Sequence, residues 1–136
     1  MKDLAVKNDL SLVKKNLEAY FETHDVKYVS NDAIFINMGT GDKYIGREAI
    51  KQMLETTFHG PLEAKVNITN TIITEQKAVL EGIYKGKQMA EFAGIAPHNN
   101  SFNVPLCVVY KLENALIKEA KIYMLGEVLM RQLQHN

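Results

Sequence analysis

SFNVPLCVVYKLENALIKEAKIYM, residues 101–124, decides the fold. It holds two long apolar runs, 101–112 and 115–124, separated only by Glu113-Asn114, which reads as a tight antiparallel hairpin. Both faces of 106–110 and 117–124 carry apolar residues. Helices can cover only one face of such a sheet, so the other face calls for a second layer, and the expected layer is another copy of the chain.

Upstream, the period stays at two. Ala64, Val66 and Ile68 alternate with polar neighbours, Glu75-Gln76 allows a turn, and 77–92 forms a run too long for an ordinary strand. Gly82 and Gly86 are the places where a bulge or kink would bend it. Before these strands the period is helical. Asp9 is placed to cap a helix whose apolar stripe is Leu10, Val13, Leu17, Tyr20, Phe21 and His24, and Ile50, Met53, Leu54, Thr57 and Phe58 mark a second helix over 46–59, stopped by Gly60-Pro61. Between the helices, the strand 33–38, the turn Gly39-Thr40-Gly41-Asp42 and the strand 43–45 form a hairpin. Val128, Leu129 and Leu133 give 127–133 helical spacing. The order helix, hairpin, helix and four strands predicts one α+β domain over 1–136. Its curved, mainly antiparallel sheet packs the N-terminal helices on its concave side and encloses a cavity.

Sixteen basic and sixteen acidic residues cancel, and no basic run exceeds Lys14-Lys15, so the chain lacks the charge that attracts nucleic acid. The start MKDLAVKNDL has no apolar leader core, and nowhere do roughly 18 apolar residues run together, so a cytoplasmic protein with no membrane partner is expected. Cys107 is the sole cysteine, which excludes an internal disulfide. His24, His59, His98 and His135 form no i, i+4 pair, and no metal or redox cofactor is expected. Gly39-Thr40-Gly41 lacks the Lys and Ser/Thr of a phosphate loop.

Further motifs surround the hairpin: EFAGIAP at 91–97, LMRQL at 129–133 and GTGDKYIGREAI at 39–50. With VPLCVVYKLENALIKEAKIYM at 104–124, they resemble the SnoaL-like polyketide cyclase or ester cyclase family of the nuclear-transport-factor-2-like superfamily. That resemblance implies a cone-shaped α+β barrel, usually dimeric, with an apolar cavity. It also implies a cofactor-free aldol closure in which a pocket carboxylate moves a proton and polar neighbours hold the enolate. Strand 101–110 contains no Asp or Glu, Leu125 stands where related sequences often carry an acid, and Gln88 stands at the family's histidine before E-F-x-G.

Two carboxylates remain as candidate bases. Glu81 in AVLEGIY and Glu91 in QMAEFAG have apolar neighbours that would raise a pKa if they desolvate the group. Either could equally lie on a solvated face. His59 is a candidate for the cavity mouth or for the carbonyl end of the second helix. Tyr123 offers a hydroxyl to a ligand or to a buried partner, while Asn37, Tyr44 and Gln88 suit ligand orientation without proton transfer. Phe35, Met53, Phe58, Phe102 and Leu125 complete the expected lining. The expected function is binding of a small, mostly apolar molecule with carboxylate-assisted aldol or isomerisation chemistry. The alternative is a non-catalytic binding or dimeric assembly module that kept the cavity and lost the base.

Overall fold

The computed structural model describes residues 9–98 and 100–134. The charged start at 1–8, Asn99 and His135 lie outside these described residues. Helix α1 spans Leu10–Thr23, and the Asp9 carboxylate accepts the Ser11 N–H at 2.9 Å, as its capping role requires. Val13, Leu17 and Tyr20 form the buried stripe. The helix stops at His24, a non-glycine residue in the left-handed region (φ 54°) whose N–H donates to the Tyr20 carbonyl at 2.7 Å.

A 3-10 turn at Val26–Tyr28 leads into β1 (Val29–Asn37) and β2 (Lys43–Ile45), then α2 (Arg47–Phe58), β3 (Leu62–Ile73), β4 (Lys77–Gln88), β5 (Ser101–Glu113), β6 (Leu116–Met124) and α3 (Gly126–Gln134). The six strands form one sheet in the order β2-β1-β6-β5-β4-β3. Every neighbouring pair is antiparallel except β1 with β6. The fold is therefore α+β with a mostly antiparallel sheet, as the order of sequence periods implied.

Local details differ from the sequence reading. Strand β4 ends at Gln88 rather than running to residue 92. The β5–β6 turn falls on Asn114-Ala115, both with positive φ (53° and 61°), the backbone of a type I′ hairpin whose twist matches its strands. The irregularity expected in β4 lies in its partner, where the β3 register shifts between Ile68 and Asn70. Gly82 and Gly86 are still required. A Cβ at Gly82 would sit 2.7 Å from Val66 Cγ1, and one at Gly86 would sit 2.1 Å from the Glu63 carbonyl oxygen.

Register sorts the side chains into two faces, since cross-strand partners share a face. Leu80 pairs with Val108, which pairs with Ile122, and Gly82 pairs with Leu106, which pairs with Met124. That inner face packs beneath α1 and α2 around Val13, Leu17, Tyr20, Phe35, Ile50 and Tyr110. The intervening row, Glu81 with Cys107 with Tyr123, faces outward. A smaller core of Leu62, Tyr84, Phe102, Val104, Leu129 and Leu133 seats α3 at the other end of the sheet.

Candidate functional site

Between the two N-terminal helices and the inner sheet face lies a chamber of about 120 Å³. Phe35, Leu80, Val108, Ile122, Met53 and Phe58 supply much of its apolar wall. Its polar groups come from Tyr20, His24, Asn37, Tyr44, Thr57, Tyr84 and Tyr110, with no Asp, Glu, Lys or Arg among the lining residues. Some of these groups are already engaged. The Tyr84 hydroxyl donates to the Thr57 carbonyl, the Thr57 hydroxyl donates to the Met53 carbonyl at 2.9 Å, and Asn37 Oδ1 accepts the N–H groups of Gly39 and Thr40. The last pair is an Asx turn, which explains the asparagine at the end of an apolar strand.

His24 stacks on Phe58 with ring centroids 4.0 Å apart, and the His59 ring lies 6.1 Å away. Burial, and secondarily the neighbouring charge of His59, lower the His24 pKa from 6.5 to about 4, so the imidazole is neutral at pH 7. Burial raises the Tyr20 phenol well above its ordinary value, and Tyr110 adds to the shift. The Tyr110 phenol is likewise raised, mainly by burial. Both remain hydrogen-bond donors at neutral pH.

A wider vestibule of about 1070 Å³ shares Asn37, Tyr44, Met53, Thr57, Tyr84 and Met124 with the chamber wall. It carries the charges that the chamber lacks: Asp42, Glu127 and Arg131. Burial and Asp42 raise the pKa of Tyr44, which stands at the junction.

Of the residues singled out in the sequence, Phe35, Asn37, Tyr44, Met53 and Phe58 come together in the chamber. Glu81 does not. It lies exposed on the outer face, where its Oε1 accepts from Asn70 Nδ2 at 3.4 Å, because Gly82 rather than Glu81 occupies the inward register. Glu91 is exposed in the segment after β4. His59 caps the end of α2, exposed, with its N–H on the Glu55 carbonyl at 2.9 Å; it does not line the chamber, and its ring lies 6.1 Å from that of His24 and 6.4 Å from that of Phe58, which do. Gln88 and Phe102 are buried in the α3 core. Gln88 Nε2 donates to the Ala90 and Ile95 carbonyls at 2.9 and 2.6 Å, fastening the turn that EFAGIAP forms. Tyr123 is 45% exposed on the outer face, and Leu125, 57% exposed, lies on the vestibule.

Sequence reasoning did not single out Tyr20, His24, Leu80 or Tyr110 as site residues. The signal for the first two was present, since both lie on the apolar stripe of α1. Among the described residues, no cluster of three metal-ligating side chains occurs.

A sequence model of the SnoaL-like polyketide cyclases matches residues 12–133. The chain belongs to that family. Among solved structures, a SnoaL-like protein of Shewanella putrefaciens CN-32 is 26% identical, with 90% of this chain and 93% of that one covered at a TM-score of 0.73. A SnoaL-like protein of Jannaschia sp. CCS1 superimposes at a TM-score of 0.80 over 100% of this chain and 98% of its own, at 14% identity. TsrD from Streptomyces laurentii, at 19% identity and a TM-score of 0.75 over 93% of this chain and 97% of its own, shares the fold. No curated protein matches the sequence.

Proposed function

We propose that this SnoaL-like protein binds a small, mostly apolar molecule in the chamber, as a module without the acid/base carboxylate that the family resemblance implies. The observation that carries this reading is a wall of aromatic and aliphatic side chains without a carboxylate, while Glu81 and Glu91 are both exposed and absent from that wall. Apolar enclosure with a few directed polar groups is the usual character of small-molecule sites. The single imidazole in the wall is neutral but a weak base, well below the pKa that favours proton abstraction at neutral pH.

Native mass spectrometry of the purified protein tests this. A bound small molecule is expected, lost when Ile122→Phe narrows the chamber and retained in Glu81→Gln and Glu91→Gln. Retention in the Ile122→Phe variant, or turnover of an aldol or isomerisation substrate that disappears with either glutamate, would overturn the reading.

The same protein is proposed to form a homodimer through the outer sheet face. Ile45, Ile72 and Tyr123 are exposed there by 64%, 58% and 45%, with Val79, Ile83, Cys107 and Val109 half-buried between them. Lys111 pairs with Glu119 at 3.9 Å on that face, so its charges are mixed, as a self-complementary surface requires. Light scattering should return twice the chain mass for the native protein and the single mass for Val109→Lys with Tyr123→Lys. A native monomer would exclude the dimer.

A further inference from the structure

Size, charge and unused donors together narrow the ligand class. The chamber volume of about 120 Å³ is close to that of an engineered apolar cavity of about 150 Å³ that takes up benzene, so it holds one ring of about six to eight non-hydrogen atoms. An ion entering would lose its hydration and meet no opposite charge, since the walls contain no Asp, Glu, Lys or Arg.

The polar groups then set the chemistry. Tyr84 and Thr57 donate within the protein, and Asn37 holds its turn. The Tyr20 and Tyr110 hydroxyls make no hydrogen bond to another described residue, although both residues are 5% exposed or less. Neither oxygen is fully sealed: among the described residues the one fully buried side-chain polar atom without a partner is Gln88 Oε1, which is not in the chamber wall. Their rings meet edge to face with centroids 6.4 Å apart, and both line the chamber. Burial keeps both protonated, so each presents an O–H rather than an anion. Unpartnered donors in an apolar enclosure favour a guest that supplies an acceptor.

We propose that the chamber takes a single uncharged ring, or a branched chain of that size, whose one acceptor oxygen is held by the Tyr20 and Tyr110 hydroxyls. A cyclic ketone is the simplest member of this class. The inference rests on the ligand-binding reading above and adds the chemistry of the guest.

Calorimetric titration at pH 7 with cyclohexanone, its hydrocarbon isostere methylcyclohexane, and cyclohexanecarboxylate tests it on the native protein and on Tyr20→Phe/Tyr110→Phe. Neither hydroxyl bonds to protein, so the double variant is expected to fold with an unchanged melting temperature. It should bind cyclohexanone about three- to tenfold more weakly, the range that a lost hydrogen bond produces, and methylcyclohexane within about twofold of native. The carboxylate should not bind. Cyclohexanone affinity unchanged by the double substitution, or carboxylate binding as strong as that of the ketone, would overturn the inference and leave the chamber a ligand site of another chemistry. If neither neutral ring binds the native protein, the ligand-binding reading falls, and the inference with it.

Discussion

Acid should loosen this fold through His24. The imidazole sits in the left-handed cap of α1 against Phe58, and burial, with a smaller contribution from His59, holds its pKa at about 4. In the unfolded chain it returns to the ordinary 6.5. Between those values the unfolded chain binds a proton that the folded chain does not. Stability contributed by His24 is therefore present above about 6.5, falls as pH is lowered, and stops falling below about 4. Integrating that difference from pH 7 to pH 5 gives a loss of about 2 kcal/mol. For a chain of this length, that lowers the melting temperature by about 6–10 °C. Circular-dichroism melts at pH 7, 6 and 5 on native protein and His24→Asn measure it. Asparagine accepts the left-handed backbone and does not titrate, so the variant starts lower, having lost the Phe58 contact, but should melt with a much flatter pH dependence. Equal slopes in the two proteins would refute the assignment. The Asp32 carboxyl, held below its ordinary value chiefly by its hydrogen bond from Lys118, loses its contribution only as pH falls through that lower value, so it does not imitate His24 in this window.

Two substitutions test the packing that shapes the site. Gly86→Ala would drive a methyl into the Glu63 carbonyl and to within 2.6 Å of Ala64 Cα, so it should cost at least about 2–3 kcal/mol in chemical denaturation; a neutral result would mean that β3 and β4 are farther apart than the structure has them. Gln88→Met keeps the volume but removes both donors from the Ala90 and Ile95 carbonyls, and should cost about 1–3 kcal/mol while raising amide exchange in residues 89–95; unchanged exchange there would deny Gln88 its role as the fastener of that turn.

The helices and the order of strands were legible because their patterns are local. Asp9 before an apolar stripe and Gly60-Pro61 after one mark ends that depend on neighbouring residues alone. The faces of β4 were not legible. In AVLEGIY, Ala78, Leu80 and Tyr84 alternate with Val79 and Ile83, so both parities are apolar and alternation cannot say which faces the helices. Pairing to β5 decides it, putting Leu80 and Tyr84 inward and Glu81 outward. The chamber's hydroxyls were missed for a related reason. Tyr20 and Tyr110 belong to ordinary apolar stripes, and only the packing of α1 against β5 shows that their rings meet while their hydroxyls remain unpaired.

The contrast between Met124 and Leu125 tests whether the chamber itself disfavours a carboxylate. Met124 lines the chamber and the vestibule, while Leu125 belongs only to the vestibule and is 57% exposed. A carboxyl introduced by Leu125→Asp remains in water and should titrate near the ordinary value of about 3.9. One introduced by Met124→Asp faces, on the chamber side, apolar walls that hold no cation, with Arg131 lining only the vestibule, and desolvation there should raise its pKa by about 2 units. A raised carboxyl binds its proton more tightly in the folded state, so its stabilising contribution is present below about pH 4 and lost as pH rises through about 6. The loss is about 2.7 kcal/mol, opposite in sign to the pH dependence of His24. Carboxyl titration by NMR on both variants reads this directly. If the two carboxyls titrate together, the chamber wall is wetter than its side chains imply, and the absence of Asp and Glu from its lining would owe nothing to its surroundings. If they separate as expected, any carboxylate in the wall would carry the raised pKa of a general base at a cost in stability near pH 7, a cost that this wall of neutral side chains avoids.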